Sequence, residues 1–275
     1  MIPVGVTAIP TQGAELATRV AASLREALDL REEHVRVEAG ISAPEQVDHV
    51  RIDLTHAVVD RHHLAVRPWR PPAPRGGVAA TVTSLAVTGA PVVLFGASVA
   101  ADLEAGNVPA RWVHDAQSRL WLVFTEETSP AGPARGRLAV TGDVAAMTAA
   151  VEQVAGELAR SKGLTLRELS VVPRTVGPDR WQVEVRATVT KGFVSSRVSA
   201  DAQVHLDPAL VLHVEQVDVR AGGMLGRIAE GLAEGYLRRV RGRRIPLGAR
   251  PVAGARLTSL DVDLGGRFHL AATLG

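Results

Sequence analysis

Histidine is the side chain here with the strongest claim to chemistry. The chain has nine, and neutral imidazoles bind transition metals when their spacing makes them converge. His62 and His63 are adjacent, so on a strand they point to opposite faces. His49 and His56 are seven apart and diverge in the same way. His205 and His213 flank the Asp207-Pro208 turn, and a hairpin there allows them to approach one another. No HxxxH pair and no ligand-type carboxylate pattern accompanies them. The expectation is solvent-facing strand histidines and no metal.

The other reactive types are less promising. Ser195, Ser196 and Ser259 fall on expected strands with no base placed beside them, and no GxSxG elbow occurs. The acid pairs Glu126-Glu127 and Asp261/Asp263 are sequential or share one exposed strand face, unlike a catalytic dyad. Neither a P-loop nor a GxGxxG between strand and helix is present. Cysteine is absent, which excludes disulfides and thiol nucleophiles. The chain is expected not to be an enzyme, with a hydrolase whose triad is hidden in sequence as a remote alternative. No cofactor is implied.

The basic run Arg238, Arg239, Arg241, Arg243 and Arg244 is the main charge feature. It begins in the last turn of an expected helix, where cations complement the helix dipole. It also suits an anionic surface, since each basic side chain near such a surface contributes about 1 kcal/mol. No aromatic interleaves the run as a stacking platform, so nucleic acid is not expected.

Alternation and helical stripes say what must position these groups. Leu16, Val20, Leu24 and Leu28 form a stripe over Gln12 to Leu30. Strands are expected over His34 to Ala39, Val47 to Thr55, His63 to Arg67, Val78 to Thr88 and Leu120 to Thr125. Neither face of Val78 to Thr88 is cleanly apolar. Pro68 to Gly77 and Glu126 to Arg137 read as loops. Asn107 to His114 reads as loop or helix fragment. Asp143 would cap a second helix whose stripe is Met147, Val151, Val154 and Leu158, with Gly163 as its stop. Strands follow over Leu164 to Pro173 and Trp181 to Thr190. Next come Val198 to Leu206, a return strand whose parity shift predicts a bulge near Glu215-Gln216, and a helix over Met224 to Val240. Thr258 to Leu264 and Phe268 to Leu274 form a last hairpin about Gly265-Gly266. The two hairpins are expected to pack on the helix between them.

Hydrophobic residues make up 46% of the 275, so the chain is globular; aromatics are only 3%, so its core is Val, Leu and Ala. The net charge of +2 is too small to imply nucleic-acid binding. No apolar run is long enough to span a bilayer. The start, MIPVGVTAIP, lacks the features of a signal peptide.

The strands VSADAQVHLDPALVLHVEQVDVRAGG, the helix MLGRIAEGLAEGYLRRV, the IPL of Ile245 to Leu247 and the terminal ARLTSLDVDLGGRFHLAATL together resemble the LmeA-like phospholipid-binding family of the tubular lipid-binding (TULIP) superfamily. So does the early order of a helix, VRVEA and VDHVRIDL. The resemblance implies an α+β fold spanning 1–275 as one domain: an elongated, strongly curved antiparallel sheet wrapped around long amphipathic helices. It also implies phospholipid or other apolar-ligand binding in a hydrophobic groove, in the cell envelope or periplasm, with the cytoplasm as the alternative. From the stripes, Met147, Val151, Val154, Leu158, Leu225, Ile228 and Leu232 would line that groove with Val50, Ile52, Leu54, Val183 and Val185. Arg238, Arg239, Arg241, Arg243 and Arg244 would meet headgroups. The rival expectation is a solid-cored scaffold subunit that docks on another envelope protein.

Overall fold

The computed structural model describes residues 1–5, 8–59, 76–127, 129–161, 163–191, 194–222, 241–249, 251–252 and 254–275. Strand dominates at 61%, in curved and mainly antiparallel sheets, with two α-helices among the described residues. That balance is compatible with the expected α+β class. The chain divides into two compact units. The first comprises Met1–Thr141, Ala249–Leu260 and Leu270–Gly275, the second Gly142–Gly248 and Asp261–His269.

The first unit opens with β1 (Ile2–Gly5) and α1 (Gly13–Leu28). Leu16, Val20 and Leu24 recur every fourth residue and are buried, so one stripe of α1 faces inward. Its entry is tight: a Cβ added to Gly13 would lie 2.2 Å from the Ala39 carbonyl oxygen. Glu15 pairs with Arg19 one turn on. Asp29, with φ 50°, ends the helix in the left-handed region.

There follow β2 (Arg36–Ala43), β3 (Gln46–Asp53), β4 (Val58–Val59), β5 (Val78–Leu94), β6 (Ala97–His114), β7 (Leu120–Phe124) and β8 (Arg135–Asp143). With β14 (Leu257–Leu264) and β15 (Arg267–Leu274) they form a ten-stranded sheet of order β14-β15-β8-β6-β5-β3-β2, to which β1 joins through β7 and β4 through β5. β3 and β4 run parallel to β5, whereas β2–β3, β5–β6, β6–β7 and β1–β7 are antiparallel. Phe95 and Gly96, both with positive φ, close the long β5–β6 hairpin, as a right-twisted two-residue turn requires.

This sheet explains why Val78 to Thr88 shows no clean alternation. Val82 is buried opposite Val108, yet three residues on Leu85 is buried opposite Ala105. The parallel neighbour does the same at Val47 and Val50. The buried face changes parity across three strands at one level, where Asn107 takes φ 53°. The segment Asn107 to His114, expected as loop or helix fragment, is therefore the second half of β6. Asn107 and Pro109 mask its pattern, because both are poor strand residues. β8 likewise begins at Arg135, inside the segment expected to be a loop.

The second unit contains α2 (Val144–Ser161) and a five-stranded sheet of order β13-β12-β11-β10-β9, made of β9 (Thr165–Gly177), β10 (Arg180–Lys191), β11 (Val194–Leu206), β12 (Val211–Ala221) and β13 (Arg244–Pro246). Asp143 Oδ1 accepts the Ala146 N–H at 2.8 Å, capping α2 as expected. Gly163, with φ 70°, ends it. α2 packs along β9.

The two hairpins expected to share one helix lie in different sheets: β11–β12 in the five-stranded one, β14–β15 in the ten-stranded one. The expected helix over Met224 to Val240 and the strand over His63 to Arg67 lie outside the described residues, as does all but the last two residues of the Pro68 to Gly77 loop.

Candidate functional site

Alternation dictates the two faces of the five-stranded sheet. Trp181, Val183, Val185, Ala187 and Val189 of β10 sit opposite Val204, Ala202, Ala200, Val198 and Ser196 of β11. Ala221, Val219 and Val217 continue the row on β12, and Pro173, Val171 and Leu166 on β9. In β11–β12, Gln203 pairs with Gln216 but Val204 pairs with Val214. Glu215 is thus the extra residue of the bulge foreseen in sequence, and it resets parity so that Val214 and Val217 both face the apolar side. Without it, half of β12 would turn its valines over.

Most of this apolar face is only half covered. Trp181, Val214 and Val217 are buried, but Val183, Val185, Ala187, Val198, Ala200, Ala202 and Val219 are of intermediate exposure. Their counterparts in the first unit, such as Val47, Val82 and Val108, are fully buried. On α2, Met147 is 38% and Val151 49% exposed, and Val154 is intermediate.

The expected lining residues therefore fall into separate groups. Val50 and Ile52 are buried in the core of the first unit, and Leu54 is half-buried there. Met147, Val151, Val154, Val183 and Val185 belong to the second unit. Leu225, Ile228, Leu232, Arg238, Arg239 and the side chain of Leu158 lie outside what is described. Arg241 is not held out to solvent alone: its guanidinium donates to the Val217 carbonyl and lies 3.6 Å from Asp218 Oδ1. Arg243 and Arg244 are exposed.

The opposite face carries a group that spacing only hinted at. Arg180 pairs with His205, His205 with His213 and His213 with Arg244, one residue from each of β10, β11, β12 and β13. The imidazoles of His205 and His213 stack with centroids 4.5 Å apart and planes 8° from parallel. His213 Nε2 lies 2.8 Å from Asp207 Oδ2. That contact, together with the Val211 N–H bound to Oδ1 at 2.9 Å, lowers the Asp207 pKa from the ordinary carboxylate value. His205 Nδ1 lies 2.9 Å from Glu215 Oε1, within ion-pair range but off hydrogen-bond alignment. Arg180 Nη1 is 3.9 Å from Glu215 Oε2. The turn Asp207-Pro208 and the bulge residue Glu215 thus each supply one imidazole with a carboxylate. The spacing in sequence allowed the two rings to approach; the turn supplies Asp207 and the bulge supplies Glu215.

A shallow trough in the first unit has a floor of Ser84, Ala86 and Gly106, with Arg51 on one side and Arg135 and Arg137 on the other. Its arginines are largely answered from within: Arg51 by Glu38 at 3.2 Å and Arg137 by Glu104 at 3.0 Å. Among the described residues no three His, Asp or Glu side chains are placed to hold a metal ion. Among the described residues no helix is long and apolar enough to cross a membrane.

Compared with known protein families, curated proteins and solved structures, the chain matches none of them.

Proposed function

We propose that this chain is a non-catalytic binder of phospholipid or another apolar ligand, held against the apolar face of the five-stranded sheet and the exposed stripe of α2. The observation that carries this reading is the contrast in coverage. The same Val/Ala alternation that is sealed in the first unit stays half-exposed over Val183, Val185, Ala200, Ala202 and Val219. Met147 and Val151 add exposed apolar surface. A continuous aliphatic surface of this kind suits acyl chains, which need no polar partner along their length. Burying about ten methylenes supplies about 8 kcal/mol at about 0.8 kcal/mol each. Before ordering costs, that corresponds to micromolar affinity. The tubular arrangement of sheet around helices and a place in the cell envelope, both implied by the family resemblance, belong to the same proposal.

The test is mass spectrometry of organic extracts of the purified protein. Recovery of lipid in stoichiometric amount is expected. A lipid-free extract, with no uptake of a fluorescent fatty acid on titration, overturns the carrier and favours the scaffold with a filled interior.

A further inference from the structure

We propose that the cross-strand row Arg180–His205–His213–Arg244 is an acid-activated docking surface for anionic phospholipid headgroups. The proposal rests on the lipid-binding reading above and adds where, and at what pH, the second unit meets a lipid surface.

The row places one side chain from each of four adjacent strands on one face. At about 4.8 Å per strand it spans about 14 Å, the width of a few headgroups. Farther along the same face stand Glu184, Asp201 and Asp218, paired across β10, β11 and β12; nearer the row, the charged groups among the described residues are the following. Arg180 comes from β10, with Asp179 preceding it in the β9–β10 turn; Asp207 comes from the β11–β12 turn; Glu215 comes from the β12 bulge; Arg244 comes from β13. With neutral imidazoles, the two arginines of the row face Asp179, Asp207 and Glu215, and the set carries one negative charge. Protonation of both histidines leaves the carboxylates in place and turns the same set to one positive charge. Imidazole is the side-chain group that gains a positive charge on mild acidification. The stacked rings do not repel without compensation, because each has its own carboxylate at 2.8 or 2.9 Å. The arginines are well placed for the ligand: the Arg180 side chain is 58% exposed, and Arg244 is exposed beside Arg243. A phosphodiester or carboxylate headgroup is the complementary partner, and a zwitterionic surface is not.

The experiment is co-sedimentation of the full chain with vesicles of phosphatidylcholine alone, or with about one-fifth phosphatidylserine, at about pH 7.5 and about pH 5.5. Partitioning onto the phosphatidylserine vesicles should rise about tenfold on acidification, with little change on phosphatidylcholine alone. His205→Gln with His213→Gln should hold binding at its neutral-pH level at both values. Arg180→Gln with Arg244→Gln should lower binding at both values and keep the acid enhancement. The same enhancement in the histidine variant, an equal rise on phosphatidylcholine, or no rise at all overturns the proposal. Lipid recovery in extracts is independent of these results, so a failed carrier and a failed docking surface are told apart.

Discussion

Trp121 donates its indole N–H to Asp115 Oδ2 at 3.0 Å, tying the start of β7 to the turn that precedes it. Asp115 also accepts the backbone N–H groups of Gln117 and Arg119 at 2.9 Å each, and the Arg119 Nε–H at 2.8 Å. Burial opposes the charge on this carboxylate, but the four donors outweigh it and bring its pKa down to about 2.

Asp115→Asn should therefore destabilise the protein by about 1–3 kcal/mol, since an amide accepts fewer and weaker bonds than the ion it replaces. The sign with pH follows from the depressed value. The carboxylate stabilises the fold above its unfolded pKa of about 4, and that contribution is lost as pH falls toward about 2. Urea titrations of both forms should converge across that window; a difference that persists at the acid end removes Asp115 as the cause.

Gly13→Ala should cost about 1–3 kcal/mol even though alanine is the better helix former. The new methyl would sit 2.2 Å from the Ala39 carbonyl oxygen, so α1 or β2 must shift. Thermal unfolding measures this, and an unchanged or raised midpoint would mean that α1 enters elsewhere.

Asp143→Ala should cost about 1 kcal/mol by removing the acceptor of the Ala146 N–H. Asp143→Ser should restore most of it, because serine caps by the same contact. Failure of that rescue would show that charge, and not the cap bond, is what matters there.

Met147→Glu with Val151→Glu tests the apolar face without emptying a core. Both side chains are already more than a third exposed, so stability should change by about 0.5 kcal/mol or less. Lipid recovered in organic extracts should fall several-fold, because two carboxylates would meet the hydrocarbon. Wild-type loading in this variant would remove α2 from the proposed site.

The second unit was the more legible in sequence. Its strands alternate over many residues, so β10, β11 and β12 declare their faces, and the parity change near Glu215 marks the bulge. The approach of His205 to His213 was open in sequence, since the two flank the Asp207-Pro208 turn, but the register that pairs them came from the structure. β6 was not readable. Asn107 in a left-handed conformation and Pro109 without an N–H are local contradictions, and only pairing to β5 on one side and β7 on the other outweighs them.

What the sequence determined by itself is therefore local: which residues alternate, where α1 and α2 start and stop, and where the β11–β12 ladder slips by one residue. These follow from backbone geometry acting over a few neighbours. The tertiary structure decided whether an apolar face is sealed or half-open, which hairpin joins which sheet, and that Asp207 and Glu215 each meet an imidazole. Coverage and charge pairing depend on groups brought together from distant positions, and a valine on a strand has the same pattern whether or not another layer lies over it.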